Sequence, residues 1–385
     1  MAQEPVTRAE QLAEIDVKLR RVQHLLTEQN LDGLLLSKVT NFAWMTAGLG
    51  DNHILLTDPV GVATLLLLKD GRRYVIAPNT EIGHIQEEEL AGLGYQPITY
   101  NWYDPAGARD NAVRAAVGSL RLGTDAPFAD ARNIEAAFNP LRYELTDSEI
   151  KKYRWVCRQS AEAVATVCRT IKPGMTDRQI EALTADECKR RGLMPTVVLI
   201  GVDDRLQTYY HYPPVGKTLR KHAFVNICAR RWGLTSSVGR YVYFGTPPAE
   251  VVGQMRKSAE ISARMQDATQ PGASAKTIFA QTKGWYAEQG LPDGWQPIHV
   301  GGGIGYAERE WVASEQSTEV IRPRMAYAWN PFTRAALSFD TVWLRPDGTD
   351  ASDRLENLTA LPDWPVIPVR VGGKTYRMPG LLVRP

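Results

Sequence analysis

Arg158-Gln159-Ser160-Ala161-Glu162 returns 98 residues further along the chain as Arg256-Lys257-Ser258-Ala259-Glu260. The same offset carries Ala165 to Ala263, Pro173-Gly174 to Pro271-Gly272, Ile180 to Ile278, Ala182 to Ala280, Thr184 to Thr282 and Gly192-Leu193 to Gly290-Leu291. A register held this long predicts a duplicated unit, and two copies are too few for a solenoid. In the first copy, Val156, Ala163, Val164 and Val167 recur with a period of about 3.6 residues, which marks a helix with one apolar face. Pro173-Gly174 breaks it, because proline lacks an N–H and glycine accepts positive φ. Thr176 then caps a second helix that runs through Ile180, Leu183 and Cys188 to a stop at Gly192. A β-rich stretch follows each helix pair, Val197 to Phe244 and Ile298 to Leu344, with Tyr241-Val242-Tyr243-Phe244 its clearest strand. Two helix-helix-sheet halves in tandem predict one pseudo-twofold domain with a site between the halves.

At 385 residues, 44% apolar and 23% charged, the chain is long enough for two cores, and its net charge of +2 gives no electrostatic case for nucleic acid. No apolar run reaches the roughly 18 residues of a membrane span, and Met1 to Leu19 is charged rather than signal-like, so a cytoplasmic protein is expected. Cys157, Cys168, Cys188 and Cys228 lack metal-ligand spacing and read as buried thiols. Ahead of the duplicated unit, a helix from Arg8 to Gln29 carries Leu12, Ile15, Leu19, Val22 and Leu26 on one face. Strands are expected at Leu34 to Leu36, Ile54 to Leu56, Thr64 to Leu68 and Tyr74 to Ile76, with Asp70-Gly71 as a hairpin turn. Their alternation with helical stretches at Glu81 to Leu93 and Ala108 to Val117 predicts an α/β domain over residues 1–145. The duplicated domain then covers 146–361, and a C-terminal extension, 362–385, reads as an extra strand or arm at a dimer interface.

The residues also carry a resemblance. Leu141-Arg142, Ser148-Glu149-Ile150 and Ile171-Lys172-Pro173-Gly174-Met175-Thr176-Asp177 resemble the start of the catalytic domain in the creatinase, prolidase and aminopeptidase P superfamily. Asp32-Gly33-Leu34-Leu35-Leu36, with Asn41, Trp44, Thr46 and Gly48, resembles the same superfamily's N-terminal domain. The likeness spans about 35–360 and implies an α+β protein: a creatinase-like N-terminal α/β domain followed by a pita-bread domain. It further implies a homodimer in which Trp44, Asn52 or His53 reaches a partner's site.

The chemistry departs from the family pattern. Metallopeptidase members carry an Asp-x-Gly with a second Asp eleven residues on; this chain has Asn226-Ile227-Cys228 and Ser237. They then carry a His in Gly-His-Gly-x-Gly, a Glu before Pro and a Glu before Asp. The matching positions here are Gly302, Asn330 and Phe339. Amides, a hydroxyl, a glycine and a phenyl ring cannot hold or charge-balance two divalent ions, so no metal and no other cofactor is expected. Gly302 is expected to leave a void where the imidazole would sit, and Asp340 to act as a structural acceptor. The run Gly301 to Gly305 lacks the context of a nucleotide loop.

By the resemblance, His211 stands where creatinase, which also lacks the metal centre, places its proton-transfer residue. An imidazole of ordinary pKa can act there as base or acid. The alternative is a hydrogen-bonding loop histidine. Tyr210, Asn226, Ser237, His299, Arg309, Glu310 and Asn330 are expected to bind substrate. Arg309 could clasp a carboxylate, or Glu308-Arg309-Glu310 could be an exposed charge run. Cys228 reads as packing rather than nucleophile. The expected function is creatinase-like C–N hydrolysis, or a lyase or isomerase step, on a small-molecule or short-peptide ligand. The alternative is a non-catalytic relative whose cleft binds a ligand or protein partner.

Overall fold

Thr7 opens the first helix: its hydroxyl accepts the Glu10 N–H while the Glu10 carboxylate takes the Thr7 N–H, satisfying two donors that the first turn leaves open. The computed structural model describes residues 5–128, 130–346 and 354–385. The chain divides into two units, one reaching to Arg142 with Thr146–Glu149, the other Tyr143–Leu145 with Ile150–Pro385.

The first unit is a mixed α/β layer. Its elements are α1 (Arg8–Glu28), β1 (Gly33–Lys38), α2 (Val39–Met45), β2 (Val60–Leu68), β3 (Arg73–Pro78), α3 (Ile82–His84), β4 (Gln96–Tyr100), α4 (Ala108–Val117), β5 (Leu122–Thr124), β6 (Arg132–Asn133) and α5 (Glu135–Phe138). The sheet runs β4-β3-β2-β1-β5-β6, with the β2–β3 hairpin turning at Asp70-Gly71. Gly71 has φ +94°, which an L side chain resists.

Four expectations change here. Leu12 is 39% exposed, and α1 instead buries Glu14 and Lys18. The Lys18 ammonium lies 2.6 Å from Glu14, 2.8 Å from Glu149 and 2.7 Å from the Trp44 carbonyl, which is how a buried charge is tolerated. Ile54, Leu55 and Leu56 form an exposed turn rather than a strand, because three apolar residues in a row carry no period. Glu81 to Leu93 yields only α3 and a π-turn at Ile85–Glu89, a segment whose only buried side chains are Ile85, Leu90 and Leu93. Trp44 is wholly buried against Phe138, and Asn52 spends its amide on the Ser37 and Ala63 carbonyls, so neither is free to enter a neighbour's site.

The second unit is the pita-bread domain, and the repeat becomes geometry. Its first half comprises α6 (Asp147–Thr170), α7 (Asp177–Arg190), β7 (Met194–Val202), α8 (Arg205–Thr208), β8 (His222–Arg231) and β9 (Leu234–Phe244). The second comprises α9 (Ala249–Ala268), α10 (Ala275–Glu288), β10 (Gly301–Ile304), β11 (Trp311–Val312), β12 (Ala326–Trp329), β13 (Phe332–Thr333), β14 (Ala336–Leu337), β15 (Val342–Leu344) and β16 (Leu355–Asn357). Thr176 and Ser274 are the N-caps of α7 and α10. Gly174 and Gly272, at φ +94° and +82°, turn the chain identically, and each N–H reaches the carbonyl of a facing residue, Leu219 or Ile321, at 2.8 and 2.9 Å.

The tail folds onto its own domain. β17 (Val366–Val371) and β18 (Lys374–Pro379) form a hairpin through Gly372-Gly373, both at positive φ. Val369 and Met378 pack on Ala259 and Ala263 of α9, and β19 (Leu381–Arg384) adds in parallel to the edge of β9. The resulting sheets are β19-β9-β8-β7 and β11-β10-β12-β15-β16.

Candidate functional site

The two halves meet along β9. Thr341, just ahead of β15, accepts the Ser237 N–H at 2.9 Å and donates to the Ser237 carbonyl at 2.9 Å. Thr235 N–H reaches Gly305 at 2.8 Å, and Gly239 N–H reaches Phe339 at 3.2 Å. Tyr153, wholly buried, donates to the Thr235 carbonyl at 2.6 Å. This seam holds Asn226 and Ser237 from the first half beside Arg309, Asn330 and Phe339 from the second.

Arg309 dominates the seam. Its Nη2 donates to Asn330 Oδ1 at 3.1 Å, its Nη1 to the Glu308 carbonyl at 2.5 Å, and its guanidinium carbon stands 5.7 Å from the centre of the Phe339 ring. Its Nε is buried without a partner, and among the described residues no carboxylate pairs with the side chain. Burial pulls its pKa down, while neighbouring Cys228, Tyr153 and Glu308 act in the other direction. The Glu308-Arg309-Glu310 run is therefore no exposed charge face. The Glu310 carboxylate, expected on substrate, instead accepts the N–H groups of Tyr306 and Ala307 at 3.0 and 3.2 Å and braces the loop that presents Arg309.

His299 joins this cluster. Its Nδ1 accepts the Gly301 N–H at 3.2 Å and lies 3.4 Å from the Asn330 amide. The residue as a whole is exposed, but the atoms packed around its ring, then Arg309 and His211, lower its pKa to about 4. Because Nδ1 accepts the Gly301 N–H, the neutral form of the ring, which the lowered pKa favours, carries its proton on Nε2. His211 is exposed on the loop between α8 and β8. Its neighbours Tyr210 and Tyr212 seat that loop on Phe332, with ring centres 4.9 and 6.4 Å away. Phe332 follows Asn330 by two residues, so the loop is tied to the strand end that carries Asn330.

The remaining expected positions divide. Asn226 is 7% exposed, with Oδ1 buried and unpartnered. Ser237 is wholly buried and its hydroxyl lies 3.2 Å from Cys228 Sγ, so it packs rather than faces a substrate. Burial pushes the Cys228 thiol up, which suits packing. Asp340 is taken by Arg240 at 2.8 Å, Thr359 at 2.7 Å and Asn357 at 3.0 Å. Gly302 leaves no void: a Cβ there would overlap the Trp311 carbonyl and come 2.9 Å from the indole Cε3, because Trp311 has filled the space. Among the described residues, no group of three or more His, Cys, Asp or Glu side chains is placed to hold a metal ion. Sequence reading missed Tyr153 and Thr341, whose roles depend on contacts across the seam.

Comparison with known proteins agrees with this architecture. The chain belongs to the metallopeptidase family M24, whose model matches residues 151–360. It is 24% identical over 319 residues to an uncharacterized peptidase of Staphylococcus saprophyticus, covering 79% of this chain and 88% of the relative. Among solved structures, the dipeptidase PepE from Mycobacterium ulcerans superposes with TM-score 0.74 at 17% identity, over 91% of this chain and 97% of that one. The prolidase from Pyrococcus horikoshii OT3 gives TM-score 0.73 at 17% identity, over 89% and 98%. These likenesses establish the pita-bread fold. No helix among the described residues is long and apolar enough to cross a membrane.

Proposed function

We propose that this chain is a hydrolase of the M24 family that works without a metal, cleaving a C–N bond in a small polar substrate that bears a carboxylate. The carrying observation is the Arg309 guanidinium, fixed on Asn330 and over Phe339 with a buried Nε that nothing satisfies. Asn330 and Phe339 stand at positions where the family pattern puts carboxylate ligands, and here both are in contact with a permanent cation. The residues at hand do not fit two divalent ions. Asn226, Ser237, Asn330 and Phe339 bring no negative charge, and Gly302 cannot carry an imidazole under Trp311. A second cation beside a desolvated guanidinium would add like-charge repulsion.

The chemistry then rests on side chains. Arg309 anchors the substrate carboxylate, and the neutral His299 offers its Nε2–H to the oxygen that gains charge during attack. His211 takes a proton from the attacking water and returns it to the leaving nitrogen, both of which one imidazole can do. A second reading, a cleft that binds without turnover, is favoured by one observation: among the described residues, no hydrogen bond orients the exposed His211.

X-Pro dipeptides, N-acylamino acids and guanidino acids, assayed with excess chelator, test the proposal. Turnover should persist under chelation, fall by about 100-fold or more in His211→Ala, and lose KM more than kcat in Arg309→Lys. Turnover that appears only on adding Mn²⁺ would overturn the proposal, and saturable binding without turnover would favour the second reading.

A further inference from the structure

A half-open cavity of about 380 Å³ lies beside the C-terminal hairpin, lined by β18, the segment 360–366 and the Arg240–Asp340 pair. It is separate from the candidate site, since neither Arg309 nor either site histidine lines it. Its volume falls within the range of small-molecule sites, about 300–1,000 Å³.

The lining selects among ligands. Leu355, Leu361, Pro379 and Trp364 supply apolar wall. The indole N–H of Trp364 is spent on the Gly380 carbonyl at 3.0 Å, so the residue contributes carbon surface and no donor. Gln266 lines the same space, is only 8% exposed, and its side-chain amide has no hydrogen-bond partner among the described residues. The amide is open to the cavity, where a ligand with an acceptor oxygen would hydrogen-bond to it.

Charge decides the sign. The Asp340 carboxylate, which could draw a cation, is consumed by Arg240, Thr359 and Asn357. Lys374 lies 3.3 Å from Asp267, which also accepts from Tyr376 at 2.8 Å, so those two fasten the hairpin to α9. Arg377 has no carboxylate partner among the described residues and stands exposed at the rim. The balance is one uncompensated guanidinium above a cavity of mixed lining, with one apolar wall and one open amide. We propose that this cavity binds a small organic monocarboxylate with a compact apolar body, its carboxylate on Arg377 and Gln266 and its body against Leu355, Leu361 and Trp364.

Calorimetric titration of the full-length protein with benzoate, and with benzamide as the uncharged counterpart, tests this. Benzoate should bind saturably and benzamide about tenfold or more weaker. Benzoate affinity should fall about tenfold in Arg377→Ala, an exposed change that leaves the fold intact, and in Gln266→Leu, while Arg309→Lys leaves it unchanged. Absence of saturable benzoate binding, or equal binding of benzamide, would overturn the proposal. So would binding that survives both cavity variants but falls in Arg309→Lys, which would place the anion in the candidate active site instead.

Discussion

A half-buried guanidinium whose Nε is buried without a partner is expensive, and in the proposed mechanism Arg309 is the residue on which the chemistry turns. Sequence alone left it between a substrate clasp and a surface charge, because Glu308-Arg309-Glu310 has the composition of a solvated run. What buries it is the loop brace from Glu310 to Tyr306 and Ala307, a contact with no sequence signature. Gly302 is the complementary case: glycine at a ligand position was legible, but the occupant of the freed space was not. Returning the imidazole with Gly302→His should force Trp311 and its backbone outward and cost about 1–3 kcal/mol, read by urea unfolding, with no gain in metal affinity. A residue the sequence never singled out sets part of the acid stability. His222 is 5% exposed against Tyr241 and Tyr243, and burial depresses its pKa from 6.5 to about 4. Above pH 6.5 the imidazole is neutral in both states and stability is full. As pH falls from 6.5 toward 4, the unfolded chain takes a proton that the folded chain refuses, and about 3 kcal/mol is lost. His222→Phe should flatten the stability curve over that window; an unchanged acid limb in a pH series of unfolding curves would refute the assignment.

At the scale of elements, the duplicated helix pairs were the most legible part of the chain. Their periodicity, caps and Pro-Gly stops are local, and Ala108–Val117 likewise reads directly as α4. The short strands of the second half were less so, because β11, β13 and β14 have two residues each and are defined by partners distant in sequence. Repeat residues acquire long-range duties that the repeat itself does not reveal. Ser258 donates to the Pro331 carbonyl at 2.7 Å and accepts the Ser338 N–H at 2.8 Å, clamping α9 to the loops flanking β13 and β14. Ser258→Ala would strand two buried backbone groups and should cost about 2–3 kcal/mol by chemical denaturation. The tail was read as a strand or arm; its docking through Val369 and Met378 is a packing fact. Met378→Ala, at 1% exposure, should cost about 2–5 kcal/mol and loosen the hairpin, which hydrogen exchange of residues 366–379 would detect as earlier opening.

For the whole molecule, the fold was readable from a 98-residue repeat and a handful of turn residues, since both report backbone geometry that the chain itself must satisfy. The candidate positions were legible in the sequence; the contacts each of them makes were not. Ser237 and Glu310 proved to be structural, while His211, His299, Arg309 and Asn330 were brought to one end of the seam. In this member of a metallopeptidase family, a resident guanidinium is proposed to take the place of a metal pair. Elemental analysis of the purified protein, with thermal unfolding in Mn²⁺, Zn²⁺ and chelator, tests it most directly. The expected result is no stoichiometric metal and no shift in Tm with either ion or chelator. About two metals per chain, with marked stabilisation on loading, would contradict it.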